Sequence, residues 1–165
     1  MRRILFLLAL GAVGAAVFRV FLFENVVIAS ASMEPTLPVG RTYWVNKSVY
    51  RWGAPRRGEL IVFQGPDGQK GMVKRAVAVA GDAVLFKDKE LYLNGVRQLE
   101  SYVRYTRAGE ILVGDNLDLG VVPPGHVVVL GDNRDESGDS RDWKDAKGQR
   151  TPFLPLVRVN GRLVR

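Results

Sequence analysis

The sequence predicts a mainly β protein, an antiparallel β-sandwich or partly open barrel with a small inserted β annex, preceded by one N-terminal transmembrane helix. One apolar stretch, residues 4–23, is long enough for a membrane helix. Several short apolar segments follow it, separated by glycine and proline and without helical periodicity. With 165 residues, 47% of them hydrophobic, the chain can build one main core. We expect the anchor in residues 1–23, the main β core in residues 24–82 and 121–165, and the annex in residues 83–120.

The apolar stretch contains a single charged residue, Arg19. At about 1.5 Å per residue, a helix of this length spans roughly 30 Å, the thickness of the hydrocarbon core of a bilayer. Arg2 and Arg3 favour a cytoplasmic N-terminus, which places the rest of the chain on the extracytoplasmic face of the cytoplasmic membrane. The alternative is a cleavable signal peptide ending at residues 29–31. The apolar stretch exceeds the roughly 7 to 15 residues of the usual signal core, so we predict a single-pass anchor.

Several segments of the core are predicted to be strands. Residues 42–45 and 59–63 are rich in β-branched and aromatic side chains. Residues 73–80 form a longer apolar strand, and residues 127–130 form a short buried one after Pro-Pro-Gly. Residues 157–164 contain an Asn-Gly pair and predict a terminal hairpin.

The annex also contains predicted strands. Residues 83–86 and 90–93 are predicted strands. Asn94-Gly95, a pair favoured in two-residue hairpin loops, predicts a tight turn before Val96. Residues 102–119 show no clear pattern.

Composition and charge exclude several classes of function. The formal charge is +7, but residues 24–143 carry 15 Lys and Arg against 16 Asp and Glu, so the excess lies at the two ends. The core shows no basic patch with interleaved aromatic residues, and a basic tail attracts anionic lipids as well as nucleic acid, so no nucleic acid partner is expected. The chain has no cysteine, which excludes disulfides and a thiol nucleophile. Its single histidine excludes a multi-histidine metal site.

Ser32, just beyond the apolar stretch, is a candidate nucleophile. A serine hydroxyl needs a base to remove its proton, and the sequence offers His126 or a lysine. His126 follows Pro-Pro-Gly and opens a valine-rich strand, a setting more typical of a structural or surface histidine. A lysine can serve as the base when burial lowers its pKa, because desolvation penalises the ammonium form.

Lys74 is the lysine with suitable surroundings. Strand alternation places it on one face with Met72, Ala76 and Ala78, all apolar. The alternative is an edge-strand lysine that discourages aggregation. We predict that the other lysines are solvated, because they lie in polar or turn-like segments. These are Lys47, Lys70, Lys87, Lys89, Lys144 and Lys147.

Residues 131–141 are dense in Asp, Asn, Ser and Gly, which favours a well-defined loop held by bonds between side chains and backbone. A calcium-binding loop is the alternative, but the acidic spacing lacks the EF-hand pattern and its closing glutamate. With this loop, four segments are similar to those of bacterial type I signal peptidases and occur in the same order. They are SASMEPTL (30–37), RRGELIVF (56–63), MVKRAVAVAGD (72–82) and GDNRDESGDSRDW (131–143).

The resemblance implies a membrane-anchored Ser/Lys peptidase that removes signal peptides from exported preproteins by cutting after small residues, Ala-x-Ala-like. By that resemblance, Ser32 is the nucleophile and Lys74 the general base. Ser30 and the backbone N–H of Ser32 stabilise the oxyanion, and Ser137 orients the Lys74 amine. The implied partners are preprotein signal peptides and the lipid bilayer, with no cofactor and no metal.

The same resemblance assigns supporting roles. It implies structural ion pairs that join Arg75 to Asp132 and Arg141 to Asp139. It also implies that Phe23, Val26, Val27 and Ile28 dip toward lipid. The walls of small-residue substrate pockets are implied at Val26, Ile28, Met33, Leu37, Met72 and Val73.

The resemblance weakens after Trp143, where a basic segment replaces the family's glycine and Val-Pro pair and puts the closing strand in doubt. A specialised processing peptidase for one exported protein is therefore an alternative. A self-cleaving Ser/Lys repressor-type protease fits less well, because that class carries a DNA-binding module where this chain has an apolar stretch. A catalytically silent scaffold is disfavoured by the retained serines and lysine.

Overall fold

The computed structural model describes residues 3–8, 10, 11, 14 and 22–164. The described residues up to position 14 are helical. Twelve of the 23 residues of the predicted anchor, residues 1–23, lie outside the described residues. In the part of the chain that is described, no helix is long and apolar enough to cross a membrane.

The described chain is mainly β, as predicted, and its strands form two antiparallel sheets. The larger sheet has the order β1-β2-β11-β3-β4-β9-β10, and the smaller has the order β7-β6-β5-β8. The strands are β1 Phe23–Val27, β2 Thr42–Asn46, β3 Leu60–Phe63, β4 Met72–Val79, β5 Ala83–Lys87, β6 Glu90–Leu93, β7 Val96–Arg97, β8 Leu117–Val121, β9 His126–Leu130, β10 Leu154–Pro155 and β11 Val159–Val164.

Strand β4 lies between β3 and β9 and is buried on both faces along residues 73–78. A near-continuous apolar run suits such a strand, because neither face meets water. A bulge between Ala76 and Ala78 shifts its register against β9. One core cluster joins β4 and β9 to the smaller sheet, and it includes Val77, Val84, Phe86, Leu91, Leu119, Val128 and Leu130.

The two Asn-Gly pairs have different structures. Asn94 and Gly95 both have positive φ and connect β6 to β7, which confirms the predicted tight turn. The predicted terminal hairpin is wrong, because β11 continues through the second pair and lies between β2 and β3. Gly161 packs so closely on β2 that an added Cβ would overlap the carbonyl oxygen of Asn46. The second glycine therefore permits strand packing and does not form a turn.

Candidate active site

Ser32 lies in a short 3-10 turn, Ala31–Met33, between β1 and β2. Its side chain is buried, with 7% of the residue exposed. The Ser30 hydroxyl donates a hydrogen bond to Ser32 Oγ at 3.2 Å. Two of the three hydroxyls that the resemblance assigns to the site, those of Ser30 and Ser32, are therefore adjacent, and Ser30 remains exposed beside the buried Ser32.

Lys74 lies in β4, where its backbone pairs with Ile61 of β3. The residue is only 4% exposed, so its ammonium group has lost most of its water. Burial lowers the pKa of Lys74 to about 8, Asp139 opposes this by attraction, and Arg141 adds to the lowering by repulsion. At pH 7 roughly a tenth of the amine is therefore neutral, far more than for an ordinary lysine, and the neutral form is the one that a general base requires.

Ser32 and Lys74 line the same cavity, which has a volume of about 130 Å³. Its walls come from the segment around Ser32 and from the start of β4 with the residues before it, and they combine polar groups with apolar side chains. The walls are Val27, Ile28, Ala29, Ser30, Ser32, Met33, Gln69, Gly71, Met72, Val73 and Lys74.

Four of the six predicted pocket residues, Ile28, Met33, Met72 and Val73, line this cavity. Val26 and Leu37 do not. Leu37 is fully buried in the core cluster that underlies the serine turn, and Val26 packs against that cluster. Ile28 is 5% exposed and belongs to the same core, so the expectation that it dips toward lipid is wrong.

Sequence reasoning missed four residues of the cavity wall: Val27, Ala29, Gln69 and Gly71. The first two are exposed and lie in the segment that leads to Ser32, and the last two precede β4. Gly71 has a positive φ, a backbone conformation that favours glycine. The glycine itself was therefore the only sign in the sequence of this part of the wall.

The loop at residues 131–141, here called the catalytic loop, packs directly on the serine turn. The backbone N–H of Asn133 donates to the carbonyl oxygen of Ser32 at 3.1 Å, and its side-chain amide donates to Ala31 at 3.2 Å. An added Cβ on Gly131 would overlap Ser137 Oγ and lie 2.5 Å from the Ser32 carbonyl oxygen. Only glycine fits at this contact.

Ser137 is buried in the catalytic loop, and its hydroxyl has no hydrogen-bond partner. The hydrogen bond to Lys74 that the resemblance implies is therefore not formed in this structure. Its closeness to Gly131 nevertheless places the Ser137 hydroxyl beside the turn that carries Ser32. Hydrogen bonds of catalytic groups are often long in unliganded sites and form only with bound substrate.

The two expected ion pairs are present and buried. Arg75 donates two hydrogen bonds to Asp132, at 2.8 and 2.6 Å, and Arg141 donates two to Asp139, at 2.9 and 3.0 Å. Burial alone would raise the pKa of Asp139, but the Arg141 guanidinium outweighs it and holds that pKa below its usual range. Both pairs fix the ends of the catalytic loop, since one joins it to β4 and the other closes it on itself.

Two other residues have surroundings that bear on the predictions. His126 begins β9 with its Nδ1 2.9 Å from the Pro124 carbonyl oxygen, and it is not part of the cavity wall. Lys89, predicted to be solvated, is instead 8% exposed and paired with Asp115 and Asp135. The prediction failed for Lys89 because its two partners are distant in sequence.

The chain is similar to known signal peptidases along most of its length. Residues 1–164 match the family model described as "Signal peptidase, peptidase S26". Signal peptidase I P of Bacillus subtilis subsp. natto is 39% identical over 132 residues, which cover 78% of this chain and 71% of that protein. Signal peptidase IB of Staphylococcus aureus is 35% identical over 133 residues, which cover 73% and 69% of the two chains.

A solved structure supports the same relationship. The crystal structure of a signal peptidase I from Enterococcus faecalis superposes with a TM-score of 0.52 at 30% sequence identity, and the match covers 67% of this chain and 97% of that one. The family match, the similar sequences and the similar fold agree with each other. The chain belongs to the signal peptidase family, peptidase S26, and is a serine peptidase of the kind that removes signal peptides from preproteins.

Proposed function

We propose that this protein is a membrane-anchored endopeptidase that cuts exported preproteins after small residues, with Ser32 as nucleophile and neutral Lys74 as general base. The observation that carries the proposal is that Ser32 shares a small cavity with a lysine whose pKa is lowered to about 8 by burial. Such a lysine does the work that histidine does in the more familiar serine proteases.

In the acylation step, the Lys74 amine accepts the proton of the Ser32 hydroxyl while Oγ bonds to the scissile carbonyl carbon. The carbonyl oxygen becomes an oxyanion, for which the Ser30 hydroxyl and the Ser32 backbone N–H are the proposed donors. Collapse of this intermediate breaks the C–N bond, and the Lys74 ammonium gives its proton to the departing amine. The signal peptide remains as an ester on Ser32.

In the deacylation step, Lys74 accepts a proton from a water molecule, which attacks the ester carbonyl. The Ser32 oxygen then leaves and recovers its proton from Lys74, so the enzyme is regenerated. We propose that Ser137 accepts a hydrogen bond from the Lys74 ammonium during these transfers and so orients the amine. The buried, unpartnered Ser137 hydroxyl is available for that bond.

Specificity for small residues follows from the cavity. A volume of about 130 Å³ whose walls include apolar side chains suits small residues. Ile28, Met33, Met72 and Val73 are the proposed walls of these sites, and Val26 and Leu37 support them from behind. Substrates of the Ala-x-Ala type fit this arrangement.

We also propose the membrane arrangement that the sequence suggests. Residues 1–23 form the anchor with a cytoplasmic N-terminus, and the catalytic core of residues 24–82 and 121–165 lies outside with the annex of residues 83–120. The bilayer would then lie close to Ser32, nine residues after the anchor. N-terminal sequencing of the protein from membranes tests this arrangement, because a chain starting at Ser32 would establish a cleaved signal peptide instead.

The central experiment is cleavage of a preprotein with Ala at positions −1 and −3 by the full chain in detergent. Ser32→Ala and Lys74→Ala are each expected to lose activity by about 10³-fold or more, because nucleophile and base act as a unit. Lys74→Arg is expected to fail as well, since arginine does not deprotonate at accessible pH.

Matched controls use exposed residues of the same types. Ser101→Ala and Lys87→Ala are expected to cleave at the wild-type rate. Normal cleavage by Lys74→Ala removes the proposed base. Loss of activity in His126→Ala together with retention in Lys74→Ala would replace the Ser/Lys dyad by a histidine-based triad.

A further inference from the structure

The hairpin loop between β5 and β6 carries a lysine in an unusual setting. Asp88 and Lys89 form a two-residue loop in which both have positive φ, 50° and 70°. Loops of this type favour Asn-Gly or Asp-Gly, because side chains other than those of Gly, Asn and Asp are strained there. A lysine at the second position is therefore retained against its local backbone preference.

The side chain of Lys89 explains why the position tolerates a lysine. Its amine is buried, with Nζ 2.8 Å from Asp135 Oδ1 and 3.0 Å from Asp115 Oδ2. Its backbone N–H donates to the Asp115 carbonyl oxygen at 3.1 Å, and the Tyr105 hydroxyl donates to the Lys89 carbonyl oxygen. Lys89 is thus fixed through its backbone and through its side chain.

Asp135 belongs to the catalytic loop, whereas Lys89 and Asp115 belong to the annex. The second carboxylate oxygen of Asp135 accepts the backbone N–H of Arg107 at 2.7 Å. Nearby, Arg104 forms backbone hydrogen bonds with Asp132 and Arg134, at 2.8 and 2.9 Å. The annex therefore supports the whole first half of the catalytic loop.

Asp135 lies two residues before Ser137, in the short 3-10 turn Arg134–Glu136. On the other side of this turn, Gly131 separates Ser137 from Ser32 with no space for a side chain. Because the packing at Gly131 is close, the loop cannot rearrange there to compensate for a shift of Asp135. Such a shift would therefore move Ser137 relative to the nucleophile.

We propose that Lys89 is a positioning residue for peptide cleavage, which acts by holding Asp135 and through it the Ser137 hydroxyl. The inference rests on the proposed function, because it requires that Ser137 orient Lys74. It assigns the annex a role in catalysis, since the hairpin that begins this sheet provides the support for the catalytic loop.

A double-mutant cycle tests the inference. kcat and KM are measured for the full chain in detergent with an internally quenched peptide carrying Ala at −1 and −3. Lys89→Gln is expected to lower kcat about 10- to 100-fold, as small displacements of catalytic groups do, with KM nearly unchanged. The double variant with Ser137→Ala is expected to be no slower than Ser137→Ala alone, because both changes remove the same interaction.

Lys87→Gln is the matched control, since this lysine is exposed in the same hairpin, and it is expected to retain the wild-type kcat. Asp135→Asn is a second test that avoids an unpaired buried amine, because Lys89 keeps Asp115 as a partner. Asp135→Asn is expected to lower kcat while its melting temperature stays close to that of the wild type. This design separates loss of positioning from loss of folding.

Three outcomes overturn the inference. The first is a wild-type kcat for Lys89→Gln or Asp135→Asn beside a slow Ser137→Ala, which contradicts this inference alone. The second is a double variant whose kcat is lower than that of Ser137→Ala by the same factor by which Lys89→Gln lowers the kcat of the wild type. Lys89 would then act independently of Ser137. The third is wild-type turnover by Ser137→Ala, which contradicts the role of Ser137 in the proposed function and this inference with it.

Discussion

Two lysines of this protein are buried to a similar degree, with 4% of Lys74 and 8% of Lys89 exposed, yet their surroundings have opposite effects. Apolar surroundings at Lys74 lower its pKa to about 8. At Lys89 burial also disfavours the charge, but hydrogen bonds to Asp135 and Asp115 outweigh it and raise the pKa. The comparison shows that burial alone does not make a base, because the counter-charges within hydrogen-bond distance decide the protonation state.

The two lysines also lie in different parts of the fold. Lys74 lies in the central strand of the large sheet and lines the cavity with Ser32. Lys89 lies in the hairpin loop of the small sheet and remains charged throughout the neutral range. Lys74 is the proposed proton-exchanging group, whereas Lys89 remains a cation paired with two carboxylates.

The largest difference is expected in the stability of variants at Lys89. Lys89→Met leaves the Asp115 and Asp135 carboxylates buried without their common partner, and removal of one member of a buried ion pair costs about 3–5 kcal/mol. Urea unfolding of the full chain in detergent measures this loss. Lys87→Met, on the exposed side of the same hairpin, is the control and is expected to change stability by less than about 0.5 kcal/mol.

The opposite sign is expected at Lys74. Lys74→Met is expected to abolish cleavage, but it also removes a buried amine whose pKa lies well below the ordinary value for lysine. With a pKa of about 8 in the folded state and 10.5 in the unfolded state, the native protein loses about 3 kcal/mol at low pH through this group. The variant is therefore expected to be more stable than the wild type by up to about that amount.

The stability gain of Lys74→Met is expected to depend on pH. Below pH 8 both states of the wild type carry the proton, so the gain of Lys74→Met is fully present. Between pH 8 and 10.5 the native wild type releases the proton first and becomes more stable, so the gain declines and disappears above that range. Urea unfolding at pH 7 and at pH 10.5 measures it, and an equal gain at both values would contradict the buried neutral lysine.

The same contrast explains what the sequence could predict. The environment of Lys74 is largely local, since its neighbours at positions 72 and 76 follow from strand alternation and are visible in the sequence. The prediction for Ala78 is wrong, because the bulge after Ala76 breaks the alternation and places Ala78 in a different core cluster. The environment of Lys89 is built by residues 26 and 46 positions away, Asp115 and Asp135. A charged segment between two predicted strands resembles a solvated loop, and no local pattern shows that one of its lysines is buried and paired.

The two Asn-Gly pairs teach the same lesson for the fold. At residues 94 and 95 local preference and tertiary structure agree, and the tight turn forms. At Gly161 the close approach of β2 requires a residue without a side chain, and the strand continues. The composition of residues 131–141 correctly predicted a well-defined loop. Its contacts with the annex depend on the segment 102–119, which showed no clear pattern in the sequence.

The smallest predicted effect concerns the pH profile of cleavage. Because the neutral amine of Lys74 is the active form, kcat/KM is expected to rise with pH and to level off above a limb near pH 8. Asp142 raises the pKa of Lys74 by attraction, as one of the weaker contributions, so Asp142→Asn is expected to move this limb slightly toward lower pH. The asparagine oxygen still accepts the Asp139 backbone N–H, so the loop is expected to keep its shape. Asp145→Asn, which changes an exposed residue of the tail, is the control and is expected to leave the limb in place. A shift of equal size in both variants would mean that general surface charge sets the pH profile, and not the local environment of Lys74.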